Sequence, residues 1–362
     1  MPSLGPVTDL LQLTARLVDI PSESHDEAAI TDWLESELRR DAPWLDIERV
    51  GLNLVARTHF GHPQRVLLAG HTDTVPINRN VPSRIEGDVL WGCGTADMKS
   101  GLAVMLELAR RIDTPAVDVT YVFYEAEEVD ARFNGLKKLV EARPDLLAAD
   151  VALLGEPTDG VIEAGCQGTM RLQVTIGGRR AHTARPWMGR NAIHRAGAVL
   201  AVLAAYEGRR PVIDGCEFRE ALQAVRIEGG VAGNVVPDAA TIVINHRFAP
   251  DRTPVEAEAH VRAVLHPVME DGDELTVLDV AAGAAPAVSH PLMASLISRN
   301  GLEVRAKLGW TDVARFAELG IPAANFGPGD PTIAHMQDEQ VERAPIERTF
   351  DALADLLTTG VT

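Results

Sequence analysis

The sequence predicts an α/β fold, a mixed and mostly parallel sheet flanked by helices, with a smaller α+β domain inserted into it. Three observations carry this. Strand-length apolar runs alternate with helical patterns over residues 47–154, as they do where helices connect parallel strands. Between residues 169 and 280 the order changes to β-α-β-β-α-β, the ferredoxin-like arrangement. After residue 280 the helix-and-strand pattern of the first part resumes. The expected domains are therefore 1–168 with 281–362, and 169–280 as the insertion, whose roughly 110 residues suffice for a small domain.

In chain order, Val7–Val18 has apolar residues at helical spacing, and Ile20-Pro21-Ser22 breaks the pattern. Asp26–Arg40 is a second helix, with Leu34 and Leu38 on one face. Ile47–Thr58 and Arg65–Ala69 are strands separated by Gly61-His62-Pro63. Ser100–Arg111 is a helix, Val117–Tyr124 a strand, Asn134–Ala142 a helix and Val151–Leu154 a short buried strand. In the insertion, Thr169–Ile176, Ala221–Glu228, Ala240–Phe248 and Glu274–Val280 are strands; Asn191–Tyr206 and Pro254–Val268 are helices. His290–Asn300 and Asp312–Leu319 are helices, Ala323–Phe326 is a strand, and Ile346–Leu357 is the last helix.

Composition narrows the function classes. The 362 residues are 46% apolar and 24% charged, ordinary values for a soluble protein with a large core. A net charge of -18 repels phosphate-rich partners, which argues against nucleic acid and anionic membranes. Cys93, Cys166 and Cys216 are too few and too scattered for a disulfide framework, so a reducing compartment is expected. Met1-Pro2-Ser3-Leu4-Gly5-Pro6 shows no basic region followed by an apolar core. Runs such as Ala196–Ala205 are far shorter than a membrane span. The expected location is the cytoplasm.

The candidate chemistry lies at strand ends. His71 and Asp73 stand two residues apart on extended chain, so their side chains leave one face and the carboxylate can hold the imidazole. Asp97 follows a turn with two glycines, and its two oxygens can each face one cation. Glu127 and Glu128 leave a strand in different directions, so one can bind metal while its neighbour serves as general base. Glu156 is held between Gly155 and Pro157 after a buried strand, and His335 lies in a late loop. Five such N/O donors suit a pair of divalent metals better than one structural site. Each also has a plainer reading: turn histidine, helix cap for Asp97, acidic loop for Glu127-Glu128, ordinary loop residue for Glu156 or His335. His182, in the inserted domain, can reach a site across a dimer interface or lie at the surface. Arg179 and Arg247 can fork onto a substrate carboxylate or remain solvated. Neither a Gly-x-Ser-x-Gly elbow nor a phosphate-binding Gly-Lys-Ser/Thr loop occurs.

Together, His71-Thr72-Asp73, Gly94-Thr95-Ala96-Asp97-Met98-Lys99, Glu127-Glu128, Gly155-Glu156-Pro157 and His335 resemble the co-catalytic metallopeptidase family of desuccinylases, deacetylases, aminoacylases and carboxypeptidases. The resemblance spans nearly the whole chain and implies a zinc exopeptidase-like fold. It implies His71 and Glu156 on one zinc, Glu128 and His335 on the other, and Asp97 bridging. Cobalt or manganese would suit the same donors. It further implies Asp73 as the orienter of His71, Glu127 as general base, and a homodimer built through the inserted domain. His182 would then hold the substrate amide oxygen from the opposite subunit, with Asn234 and Arg247 near a small anionic N-acyl amino acid. Gly165-Cys166-Gln167-Gly168-Thr169, Trp310–Phe316 and Gly327-Pro328-Gly329-Asp330 are most similar to the actinobacterial desuccinylase branch. That branch implies hydrolysis of an N-succinyl amide. The runners-up are a deacetylase such as one acting on acetylornithine, another N-acyl amino-acid hydrolase, a carboxypeptidase, and a non-catalytic binding protein of the same fold.

Overall fold

Four apolar runs far apart in the chain lie side by side as parallel strands. Arg65–His71 pairs with Asp118–Tyr124 on one side and Val151–Leu154 on the other, and Val151–Leu154 pairs with Ala323–Asn325. The computed structural model describes residues 9–361. Among the described residues the sheet has eight strands, in the order Asp46–Val50, Asn53–Arg57, Asp118–Tyr124, Arg65–His71, Val151–Leu154, Ala323–Asn325, Ile162–Ala164, Val304–Ala306. The pairs on either side of the parallel centre are antiparallel, so the sheet is mixed as expected.

Burial explains the composition of these strands. Every residue of Asp118–Tyr124 and Val151–Leu154 is buried, because helices flank the sheet. The helices Leu10–Val18, Ser100–Arg111 and Arg343–Thr359 pack on one another, and Ser100–Arg111 lies against Arg65–His71 and Asp118–Tyr124. Glycine permits one close approach: a Cβ on Gly101 would stand 2.3 Å from the Gly155 carbonyl oxygen. The start of Ser100–Arg111 thereby sits directly against the segment that leads into Glu156.

Several expected elements change at their edges. Ile47–Thr58 is a hairpin of two strands, because Gly51, at φ +65°, supplies the left-handed turn inside what reads as one apolar run. The first helix is described from Leu10, with Asp9 Oδ1 accepting from the Leu11 and Gln12 N–H groups at 3.0 and 3.2 Å. Val7 and Thr8, and the Met1–Pro6 opening, lie outside the described residues. The last helix begins at Arg343, earlier than the pattern suggests, since Pro345 falls in the first turn, where no N–H is needed. A three-stranded sheet of Arg84–Glu86, Val89–Trp91 and Gln340–Glu342 has strands too short for periodicity to show.

The chain divides into two compact units. One comprises Met1–Gly165, Pro286–Arg305 and Asp312–Thr362; the other comprises Cys166–Ala285 and Ala306–Thr311. The second unit has a four-stranded antiparallel sheet in the order Ala221–Gly229, Ala239–Phe248, Gly168–Gly177, Glu274–Ala281. Its helices Ala192–Ala204 and Pro254–Leu265 supply Val199, Val261 and Leu265 to a core shared with Leu172, Val174, Ile242 and Ile244. Thr253 and Glu256 form a capping box at the second helix.

Candidate metal centre

The side chains that carry chemistry leave the carboxyl ends of adjacent parallel strands, where such sheets place their sites. His71 is the last residue of its strand; Glu127 and Glu128 follow Tyr124 at the end of the next; Glu156 follows Leu154 in the third. Asp97 lies in the turn of helix Thr95–Lys99, and the Asp97-Met98 peptide is cis. Lys99, not Asp97, occupies the N-cap of Ser100–Arg111, which sets aside the capping reading of Asp97. His335 has a left-handed backbone, φ +66°, in the loop ahead of Gln340–Glu342.

These residues converge. His71, Asp97 and Glu156 each offer a donor atom within 4.8 Å of the others, as do Asp97, Glu128 and His335; His71, Glu127 and Glu128 form a third such group. Asp97 belongs to two of the three. Its Oδ1 is 3.1 Å from His71 Nε2, and its Oδ2 is 3.3 Å from His335 Nε2. His335 Nε2 is also 2.7 Å from Glu128 Oε1.

Hydrogen bonding fixes what the cluster can hold. His71 Nδ1 is 3.0 Å from the Asp73 carbonyl oxygen and 3.4 Å from Asp73 Oδ1; both only accept, so Nδ1 carries the proton. In the neutral ring Nε2 then presents a lone pair to the Asp97 carboxylate. Two acceptors face to face are stable only around a cation or a proton. Asp73 is itself held: Oδ1 accepts from the Glu127 N–H at 3.0 Å, and Oδ2 from the Glu128 N–H at 3.1 Å and Ser24 Oγ at 2.7 Å. One carboxylate thus orients both His71 and the start of the Glu127-Glu128 loop.

The electrostatics agree. Burial opposes protonation of His71, yet its bonds to Asp73 and Asp97 raise its pKa well above the usual imidazole range. Burial works against ionisation of Asp73, but His71 wins and holds it at about 2. Asp97 is likewise driven down, against burial, by His335 and His71. His335 is raised to about 9, chiefly by its bond to Asp97. Burial lifts Glu128. Glu127 rises well above the carboxylate range through burial and the charges of Glu156, Asp312 and Glu128, with His71 opposing. A field that binds protons on imidazoles this firmly favours cations at the same point.

Two supports escape sequence reasoning. Ser24 reaches Asp73 from 49 residues away. Glu339, buried, accepts from the Gly94, Ala96 and Asp97 N–H groups at 3.1, 2.8 and 3.0 Å. Burial raises its pKa to about 7 against those bonds. The only hint of the second is a run of main-chain donors around Gly92 and Gly94 that needs an acceptor.

The other candidates belong to the second unit. His182 is exposed, its Nδ1 accepts from the Ala184 N–H at 3.0 Å, and it bridges to Val235. The Thr183 N–H donates to the Asn234 carbonyl at 3.0 Å, and Arg179 exchanges main-chain bonds with Arg190. These segments adjoin the Gly177–Ala239 end of the sheet. Arg247 pairs with Thr169 at the far end, and burial lowers its pKa. Eight residues of strand at ~3.3 Å each separate Ala239 from Arg247 by roughly 26 Å, so Arg247 is not brought to His182, Asn234 and Arg179 within one chain. Trp310 Nε1 donates to the Ala282 carbonyl at 3.1 Å.

The sheet order and this carboxylate-histidine cluster define a metallohydrolase of the co-catalytic type. The chain belongs to peptidase family M20/M25/M40, whose model matches residues 67–359. It is 54% identical over 346 residues to a Mycobacterium tuberculosis protein provisionally named succinyl-diaminopimelate desuccinylase, covering 95% of this chain and 97% of that one. It is 48% identical over 360 residues to the succinyl-diaminopimelate desuccinylase of Corynebacterium glutamicum, covering 98% and 97%. Among solved structures, a Staphylococcus aureus tripeptidase superposes with TM-score 0.77 at 22% identity over 97% of both chains. A dinuclear metal-binding M20 peptidase of Bacillus subtilis gives 0.73 at 17% identity, also over 97% of both chains. At those identities the two structures share the fold.

Proposed function

We propose that this chain removes succinate from N-succinyl-LL-2,6-diaminopimelate, giving LL-2,6-diaminopimelate, as a two-metal amidohydrolase of lysine and cell-wall precursor synthesis. The observation that carries the chemistry is Asp97 between His71 and His335, with Glu127 beside them. The desuccinylase name shared by the 54% and 48% relatives supports the substrate.

His71, Asp97 and Glu156 would hold one cation, and Asp97, Glu128 and His335 the other. When bound, two divalent cations polarise the scissile carbonyl and bring the acidity of the attacking water towards neutrality. Zinc suits these donors, and cobalt or manganese fit the same set. Asp73 keeps His71 in the Nδ1–H tautomer, so that Nε2 faces the cluster. Glu127 takes a proton from the attacking water as the C–O bond forms, and returns it to the amine as the C–N bond breaks. Burial and the neighbouring carboxylates raise its pKa above the ordinary carboxylate range, which strengthens it as a base.

His182 donates to the developing oxyanion, and Asn234, Arg179 and Arg247 bind substrate carboxylates. The length of strand between Arg247 and the His182 segment exceeds an amino-acid substrate. Both ends can serve one substrate only if they come from two subunits, which supports a homodimer joined through the 169–280 domain. Its edge strand Ala221–Gly229, with exposed Val225 and Ile227, is a surface that pairing would cover. The proposed location is the cytoplasm: none of the three cysteines forms a disulfide, as fits a reducing compartment.

The test is turnover of metal-depleted protein reloaded with defined zinc equivalents, on N-succinyl-LL-2,6-diaminopimelate, N-acetylornithine and dipeptides. Activity should rise through the second equivalent and favour the succinyl substrate. Faster cleavage of acetylornithine or of a dipeptide overturns the assignment.

A further inference from the structure

Glu339 connects two cluster residues that are 238 positions apart in the chain (335 minus 97). Its side chain is 1% exposed, and its two oxygens take three consecutive-turn N–H groups, those of Gly94, Ala96 and Asp97. Its own carbonyl accepts from the Gly92 N–H at 3.0 Å. One residue therefore holds the main chain of the 92–97 segment at four points. It also sits four residues beyond His335, in a loop tightened by the Met336 N–H to Ile333 and Glu339 N–H to Met336 bonds.

Other bonds hold the start of this segment, from the Cys93 N–H to the Asn80 carbonyl at 3.1 Å and from the Thr95 N–H and Oγ1 to the Gly92 carbonyl at 3.2 and 2.8 Å, but the Ala96 and Asp97 N–H groups are given to Glu339. Gly94 is at φ +81°, and a Cβ there would stand 2.8 Å from Thr74 Cγ2, so the turn is held in a shape only glycine adopts easily. Lys99, the nearest buried cation in sequence, gives its Nζ to the Ile20 carbonyl at 2.8 Å. The Glu339 carboxylate is thus satisfied by main-chain donors, in the manner of an anion in a nest of N–H groups. Burying a carboxylate is costly, and the three main-chain N–H groups offset that cost here.

We infer that Glu339 is a positioning residue of the two-metal centre, aiming the Asp97 carboxylate between the cations and tying it to the loop that carries His335. The inference rests on the two-metal reading above. It acts through the Asp97 main chain: holding the Ala96 and Asp97 N–H groups fixes the peptide plane and the N–Cα axis from which the Asp97 side chain departs. Glutamine at this position keeps one carbonyl oxygen and replaces the other with a donor, so it leaves either Gly94 or the Ala96–Asp97 pair without an acceptor. Alanine leaves all three.

The experiment compares wild-type, Glu339→Gln and Glu339→Ala proteins loaded with cobalt. Cobalt affinity by chelator competition and the visible absorption spectrum are read alongside kcat and KM. Glu339→Ala should weaken cobalt binding about 10–100-fold, the range for losing a residue that orients a ligand, and Glu339→Gln less. Both should shift the absorption bands while the fold persists, and at saturating metal kcat should fall with KM close to wild type. Wild-type affinity and spectrum in a folded Glu339→Ala protein would overturn the inference. If that variant does not fold, a folded Glu339→Gln protein with wild-type affinity and spectrum would overturn it equally. A wild-type protein that takes up fewer than two cobalt equivalents overturns instead the two-metal reading beneath it.

Discussion

The two ends of the strand Asp118–Tyr124 carry carboxylates in opposite circumstances. At the start, Asp118 is buried and fully served: Oδ1 accepts from Thr58 Oγ1 at 2.7 Å and the Phe60 N–H at 2.9 Å, and Oδ2 from the Gly61 and His62 N–H groups at 3.0 Å each. Burial works to raise its pKa, yet these bonds lower it. Beyond the other end, Glu127 and Glu128 stand among Glu156, Asp97 and Asp312, and both are raised. The same residue types are settled at one edge of the sheet and crowded at the other. Crowded carboxylates around two imidazoles are held together by protons, and the same field favours cations. The contrast separates the structural edge from the working edge.

The sharpest way to break this contrast is Glu127→Gln. It should lower kcat by ~10²–10⁴-fold, the share of a positioned general base, while the protein keeps two metal equivalents by elemental analysis. Near-normal turnover, or metal loss as the sole defect, removes Glu127 from the role. Next in size, Asp73→Ala should weaken metal binding about 10–100-fold, because it frees both His71 and the Glu127-Glu128 loop. Chelator titration measures this directly. The two halves of the cluster should also differ: His71 is 1% exposed at its side chain and His335 is 47% exposed. Chelation followed by metal analysis should therefore proceed in two steps, and His335→Ala should abolish the faster one.

His182→Ala should reduce turnover without changing metal content. Mixed with Glu127→Gln subunits it should regain activity, since half of the sites in a mixed dimer are intact; no recovery argues against sharing across subunits. The smallest effect belongs to the settled edge. Asp118→Asn should cost about 1–3 kcal/mol in denaturant unfolding and leave kcat unchanged, because one of the two oxygens becomes a donor and either the Gly61 and His62 N–H groups or Thr58 Oγ1 and the Phe60 N–H lose a charged acceptor. The folded pKa of Asp118 lies below its unfolded value, so its stabilisation is present above ~4 and lost as pH falls through the folded value. The difference between wild type and variant should accordingly shrink in acid.

Much of the working edge was legible because it obeys short-range rules. Val151–Leu154 ends in Gly155-Glu156-Pro157, and a buried strand of that kind can only deliver its next polar residue to the sheet edge. His71 and Asp73 announce their partnership by two-residue spacing. The hairpin at Gly51 was hidden by apolar residues on both sides of the turn. Glu339 and Ser24 were hidden for a different reason: their partners lie 242 and 49 residues away, and nothing local in either sequence demands a carboxylate or a hydroxyl. Arg247 reads as a companion of His182 and Asn234 in sequence, yet the antiparallel register sends it to the opposite end of the sheet.

Everything proposed for this chain turns on Asp97 being shared. Anomalous scattering at the metal edge from crystals of the reloaded protein tests it most directly. Two peaks about 3.5–4 Å apart, one beside His71 and Glu156 and one beside Glu128 and His335, with an Asp97 oxygen on each, are the predicted result. A single peak, or two peaks of which only one touches Asp97, would contradict the account.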